Sequence, residues 1–248
     1  MEKEESFLIY GTHASLEAVR NNAQKVERVY IKETLSNQNL DEVKHIASKN
    51  KIPVMFVPGS KLDSMLGDVV HQGICVMMRG FEYVDLDNVI KNLDKNKPSL
   101  FVLLDEIEDP HNVGAIIRSA VAVGAEAVIV PKHRSAPING TVYKTSAGLV
   151  DKIKISRVSN ITVAIEKLKK NKVWVAGLAG EGKTSIWDQD LTGSVAVVVG
   201  NEGSGLHEKV REHCDFLLNI PMSSAAESLN ASVSTAILMY EWKRQNRG

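Results

Sequence analysis

The residues GLAGEGKTS, 177–185, have the spacing of a phosphate-binding loop: Gly177, four residues, then Gly182, Lys183 and Thr184. Such a loop needs a strand before it and, after it, a helix whose N-terminus faces the anion. It also needs an acid at the end of an apolar strand to help hold magnesium. KVWVAG supplies the strand. No helix follows, because SIWDQDL has no sustained helical face before the turn signal Thr192-Gly193. The next apolar strand, SVAVVVG, ends in Gly200 and Asn201, and LFVLLDE, which ends in Asp105 and Glu106, comes far earlier. The spacing fits and the context does not, so nucleotide hydrolysis is set aside.

Three other stretches could carry chemistry. In LDEIEDPHNVGAIIRSA, 104–120, an apolar strand runs into acids and a helix begins near His111. Asp109 is placed to cap that helix and Pro110 suits its first position. Asn112 falls in the first turn and Arg118 six residues on, so the two do not stack on one face. Both could still project near the C-terminal edge of the sheet, where open α/β folds hold ligands. A capped surface helix with a solvated Arg118 explains the stretch equally well. In VAVVVGNEGSGL, 195–206, a buried strand ends in a glycine-rich turn carrying Glu202. Glycine there admits close approach of backbone to a ligand, or simply a tight turn. In NIPMSSAAESLNASVSTAILMYEWKR, 219–244, a strand enters at Ile220-Pro221 and a long helix starts around Ser228. Ser228 and Asn230 sit at its N-terminus, where free backbone donors attract polar groups, though Ser228 could merely cap the helix.

Two blocks of alternating helices and strands must position these residues. In the first, THASLEAVRNN, NLDEVKHIASKN and SKLDSML read as helices, and VERVYI, IPVMFV and GICVMMRG as strands. The Asp-, Asn- and Lys-rich stretch 80–98, with a short helical pattern at LDNVIKNL, reads as a linker ended by Pro98. In the second block, SLFVLLD, EAVIVP, KVWVAGL, SVAVVVG and FLLNIP are mostly continuous apolar runs, as in a parallel sheet covered on both faces. Helices fall at about 111–123, 139–148, 159–170, 205–212 and 228–245. The expected domains are 1–79, a linker 80–98, and 99–248.

Composition narrows the class. The chain has 248 residues, 44% hydrophobic and 24% charged, as expected of a globular protein. Cys75 and Cys214 are its only cysteines and lie far apart, which argues against a disulfide framework or a cysteine-rich metal site. No metal is expected. The N-terminus MEKEESFLIYG lacks the basic-then-apolar pattern of a signal peptide, and no apolar run approaches a membrane span, so a cytoplasmic protein is expected. The 30 basic residues balance 30 acidic ones. Between Lys132 and Arg157, however, six basic residues, including Arg134 and Lys144, face one acid. That cluster is either a solvated face or a surface gripping a nucleic acid backbone.

Taken in order, Asn112 and Arg118 after one strand, GNEG at 200–203, and IPM with SLN at 220–230 resemble the three motifs of the SpoU/TrmH family. These are RNA ribose 2′-O-methyltransferases of the SPOUT class. IYGTHASLEAVR and VVHQGICV resemble its N-terminal substrate-binding domain, and KHRSAPINGTVYKTSAG its mid-domain segment, so the likeness spans nearly the whole chain. The RlmB-like 23S rRNA guanosine subgroup fits best. The resemblance implies a small N-terminal α/β substrate-binding domain and a C-terminal parallel-sheet domain with a deep trefoil knot. It implies S-adenosylmethionine as cofactor, walled by the loops at Gly177, Gly200 and Ile220 to Leu229, with Met222 among the wall residues. It also implies catalysis by Arg118 with Asn112, Glu202, Ser228 and Asn230. Lys132, Arg134 and Lys144 become candidate RNA contacts, with rRNA the expected substrate and tRNA the main rival. DNA is excluded because it lacks the 2′-hydroxyl. A homodimer using the last helix is a further expectation, and a non-catalytic RNA-binding protein is the competing class. One departure stands out: where the family usually has glycine two residues after the Met of IPM, this chain has Ser224, which would be strained at a positive φ.

Overall fold

The computed structural model describes residues 6–35, 38–201, 203–226 and 228–246. They form two compact units. One holds the chain up to Glu82 together with Pro137–Asp151; the other holds Tyr83–Ala136 and the chain from Lys152 onward.

The smaller unit is built on four strands, β1 (Phe7–Tyr10), β2 (Val26–Lys32), β3 (Val54–Val57) and β4 (Ile74–Met78), in the order β1-β4-β2-β3. β2 and β3 are parallel; β4 is antiparallel to both β1 and β2. Helix α1 (Thr12–Asn22) buries Leu16 and Val19, and α2 (Gln38–Lys49) buries Leu40, Val43 and Ala47, the spacing of one helical face. α3 (Gly59–Leu66) contributes Leu62. β1 has no counterpart in the sequence reading; it is four residues long and only Ile9 of them is buried. A short helix, Gly140–Thr145, belongs to this unit although it comes much later in the chain. Its Tyr143 lies 5.1 Å from the ring of Phe7, and its hydroxyl donates to Asp151, which also pairs with Lys25.

The larger unit begins inside the stretch read as a linker. There α4 (Leu86–Lys91), capped by Asp85, buries Leu86, Val89 and Ile90 in the same core as Phe101 and Leu103. Its seven strands are all parallel: β5 (Leu100–Asp105), β6 (Ala127–Pro131), β7 (Lys154–Val158), β8 (Trp174–Leu178), β9 (Thr184–Ser185), β10 (Val195–Gly200) and β11 (Phe216–Asn219). Their order is β7-β6-β5-β10-β8-β11-β9. The neighbours β5 and β10 are buried at every residue, as the continuous apolar runs require. Helices α5 (Pro110–Val123), α7 (Ile161–Lys170), α8 (Glu208–His213) and α9 (Ala231–Gln245) cover the sheet, with Gly140–Thr145 numbered α6. Asp109 caps α5, accepting from the amide of His111 at 2.9 Å, with Pro110 in its first turn. The cap of α9 is Asn230 rather than Ser228, so that helix starts later than the pattern suggested. No helix among the described residues is long and apolar enough to cross a membrane.

Candidate active site

The phosphate-loop spacing has a different cause. β11 lies between β8 and β9, yet only residues 179–183 join those two strands. That connection must cross the chain of β11, and Gly182 is where it touches. A Cβ there would lie 2.8 Å from the carbonyl oxygen of Leu217 and 2.8 Å from the carbonyl carbon of Leu218. The side chain of Asn219 donates to the carbonyl of Gly182 and pins the crossing. Thr184 then enters a strand, not a helix, and Lys183 is exposed. Gly177 is buried in β8, where a Cβ would meet the Sγ of Cys214 and the side chain of Leu206, each at 2.8 Å. It therefore packs one residue behind the cleft that Leu178 and Ala179 line.

A cleft of about 650 Å³ opens at the C-terminal ends of β8, β10 and β11. Gly200, Ile220, Met222, Ser228 and Leu229 all line it. Gly200 permits the turn at its wall: a Cβ would lie 2.1 Å from the carbonyl oxygen of Gly205, which itself has φ +68°. Met222 and Leu229 stand 41% and 36% exposed in this cleft and put apolar side chains beside its polar lining. Ser224 also lines it and is not among the residues with positive φ, so the expected strain is not present.

Behind the glycine turn lies a cluster that the sequence reading did not assemble. Buried Asp105 accepts from the amide of His207 at 2.8 Å, and the His207 ring lies between Asp105 and Glu106 at 3.5 and 3.4 Å. Asn201 donates to the carbonyl of Glu106 at 3.1 Å and accepts from Gly203. Burial raises the Asp105 carboxyl above the usual carboxylate range. The acids at the end of β5 were visible in sequence, but nothing marked His207 as their partner.

Asn112 and Asn230, 118 positions apart, meet directly. The Asn230 amide donates to Oδ1 of Asn112 at 2.9 Å, while its own Oδ1 accepts from the amide of Ser232 at 2.9 Å. Asn112 is buried in the first turn of α5, so the hydrogen bond fastens the start of α9 to the start of α5. Arg118 is elsewhere: it is exposed on α5, does not line the cleft, and its side chain has no ion pair or hydrogen bond among the described residues. Glu202 lies outside the described residues. Arg134 is exposed and pairs with Glu106 at 3.0 Å, Lys132 is exposed nearby in sequence, and Lys144 belongs to the smaller unit.

The profile of the SpoU rRNA methylase family matches residues 99–240, and that of the RNA 2′-O ribose methyltransferase substrate-binding domain matches 8–84. The chain belongs to the SpoU rRNA methylase family. Membership fits the relatives. The 23S rRNA (guanosine-2′-O-)-methyltransferase RlmB of Xanthomonas campestris pv. campestris is 39% identical over 251 residues, covering 100% of both chains. A Staphylococcus saprophyticus protein named for the TrmH family of tRNA/rRNA methyltransferases is 39% identical, over 96% of this chain and 95% of its own. Among solved structures, an RNA 2′-O ribose methyltransferase superposes with TM-score 0.75 at 26% identity, over 97% of this chain and 89% of its own. AviRb of Streptomyces viridochromogenes, solved with AdoMet, shares the fold at TM-score 0.76 and 24% identity, over 97% and 90%. This SpoU-family chain thus has the family's α/β architecture, a small N-terminal unit followed by a parallel-sheet domain.

Proposed function

We propose that this protein transfers the methyl group of S-adenosylmethionine to a ribose 2′-hydroxyl of RNA, with a guanosine of 23S rRNA as the target. One observation carries the reading: Gly200, Ile220, Met222, Ser228 and Leu229, drawn from two separate motifs, wall a single cleft. The cleft suits the cofactor, since its volume is that of a small-molecule site and its exposed Met222 and Leu229 offer apolar cover for an adenine ring. Gly200 and the 220–229 loop would hold it, with Gly177 supporting the wall from behind. When bound, S-adenosylmethionine supplies an electrophilic sulfonium methyl. The β8–β9 connection crossing β11 is the local geometry that the expected trefoil knot calls for, and we read the chain as knotted there.

The protein's own residues would orient the sugar and manage its charge. The Asn112–Asn230 hydrogen bond would hold the start of α9 in place behind Leu229, and Ser228 and Glu202 would take part in the chemistry. A guanidinium is a poor base and a good cation in proteins, so Arg118 would stabilise the developing alkoxide rather than accept its proton. The proton leaves to phosphate or water. Lys132, Arg134 and Lys144 would grip the RNA backbone, and the 8–84 unit would bind substrate. We place the enzyme with its rRNA in the cytoplasm.

The functional unit on this reading is a homodimer. α9 leaves Val233 and Tyr240 exposed at 47% and 54%, and Arg118 lies on the helix packed beside it without reaching its own cleft. A second copy seated on this face would give Arg118 a cleft to act in. Mixing Arg118→Ala with the cleft variant Leu229→Asp tests this: a shared site recovers about a quarter of wild-type activity after random exchange, and a self-contained site recovers none. The activity itself is tested with tritiated S-adenosylmethionine and separate rRNA and tRNA pools. Label confined to tRNA overturns the rRNA assignment, and no label in either leaves an RNA-binding protein.

A further inference from the structure

The smaller unit has a cavity of its own, about 420 Å³, between the β1–α1 junction and residues 143–148. The side chains of Tyr10, His13 and Lys144 stand exposed at it, and none of the three side chains has a hydrogen bond, ion pair or ring contact among the described residues. The nearby carboxylate of α1 is different, because Glu17 pairs with Arg20, which also pairs with Glu42 of α2. An aromatic face, an imidazole and an ammonium, their side chains unpartnered among the described residues, surround one hollow. The floor is apolar, with Ile9, Ala14 and Ala18, and Gln72 and Asn22 add amide groups at the sides. Both banks use left-handed backbone: Gln72 at φ 54° on one, Ala147 at φ 52° on the other. Backbone of this kind in residues bearing a Cβ costs energy and concentrates at ligand sites.

We propose that this cavity holds one unpaired nucleotide of the RNA substrate, away from the methylated ribose. The assignment rests on the RNA reading above. The base would stack on Tyr10, its edge would meet the amides of Gln72 and Asn22, and its phosphate would meet Lys144. A base inside a duplex cannot enter, whereas single-stranded loops present unstacked bases to aromatic side chains. A free mononucleotide fits less well than a strand. A second hollow of about 180 Å³, along Phe7, Leu8 and Asn139, shares Ile9, Tyr10, Ala14 and Lys144 with the first and leaves room for a neighbouring nucleotide.

The test uses the full chain and labelled hexaadenylate and hexauridylate RNA, single-stranded or annealed into a duplex, read by fluorescence anisotropy. Wild type is expected to prefer the single strands. Tyr10→Ala should weaken that binding roughly tenfold or more, the scale of one lost base stack. Tyr10→Phe should restore it, and Lys144→Ala should weaken it with a smaller salt dependence. Calorimetric affinity for S-adenosylmethionine should stay unchanged throughout, since Tyr10 and Lys144 belong to the other unit. A 4-thiouridine cross-link should map to residues 10–22 or 143–148. If Tyr10→Ala and Lys144→Ala bind like wild type while RNA is still methylated, the cavity assignment falls and the enzyme reading stands. If wild type neither binds nor methylates RNA, both fall.

Discussion

Replacing Gly182 by alanine separates the two explanations of the opening motif. The new Cβ would sit 2.8 Å from Leu217 O and Leu218 C and 2.9 Å from Leu217 C. These are backbone atoms of the strand being crossed, so no rotamer change relieves the overlap. Overpacking of this sort costs about 1–3 kcal/mol. Alanine also restricts the unfolded chain, which offsets about 0.4–1 kcal/mol. The net expectation is a loss of about 1–2 kcal/mol, read as a lower urea midpoint at unchanged m-value. Because Ala179 to Glu181 on one side and Asn219 to Ile220 on the other line the cleft, the shift should also weaken S-adenosylmethionine binding by calorimetry. Lys183→Ala is the companion, and since Lys183 is exposed, both readouts should stay at wild-type values. A phosphate-binding loop demands the reverse, with Lys183 essential. Wild-type stability and affinity in Gly182→Ala, or lost affinity in Lys183→Ala, would refute the crossing argument.

Three other outcomes follow from the geometry. Asn230→Ala removes the α9 cap, at about 0.5–2 kcal/mol, and a double-mutant cycle with Asn112→Ala should show coupling of about 0.5–3 kcal/mol in urea unfolding; simple additivity would break the proposed link. Arg118→Ala should lower kcat by about 10²–10³ while leaving the unfolding midpoint alone, because the side chain is exposed and unpaired among the described residues; full turnover would remove it from the chemistry. Burial raises the Asp105 carboxyl, so the folded state holds that proton to higher pH than the unfolded chain, and its contribution to stability is present below about pH 3.9 and lost as pH rises through the folded value. Asp105→Asn should flatten that decline in pH-dependent unfolding, and an unchanged slope would count against it.

Strands of the larger sheet could be read from sequence where burial is complete on both faces, as in β5 and β10. The edges could not. β7, KISRV, buries Ile155 and Ser156 but exposes Lys154, so its apolar signal is too thin to register. β9 has two residues and exists only because Leu218 and Asn219 pair with it. The linker reading of 80–98 noted a short helical pattern at LDNVIKNL but gave its charges more weight; Leu86, Val89 and Ile90, at positions i, i+3 and i+4, form one turn of a helix buried on one side. The helix read at 139–148 falls in segment 137–151, whose packing partners Phe7 and Lys25 are far away in the chain, so no window of sequence could assign it to the smaller unit.

The same limit decides what could be known of the catalytic set. Asn112 and Arg118 belong to one sequence motif, and a motif invites the assumption of one place. On a helix, however, six residues turn the side chain by about 240° from its starting direction. Asn112 accordingly points into the protein and meets Asn230, while Arg118 faces outward. If both serve one reaction, the cleft must be completed by something beyond its own chain. RNA alone could bridge from the cleft to Arg118 across α5, or a second protein copy could bring its own arginine. The two differ in a measurable way, because only the second lets a chain lacking Arg118 and a chain lacking a working cleft restore each other.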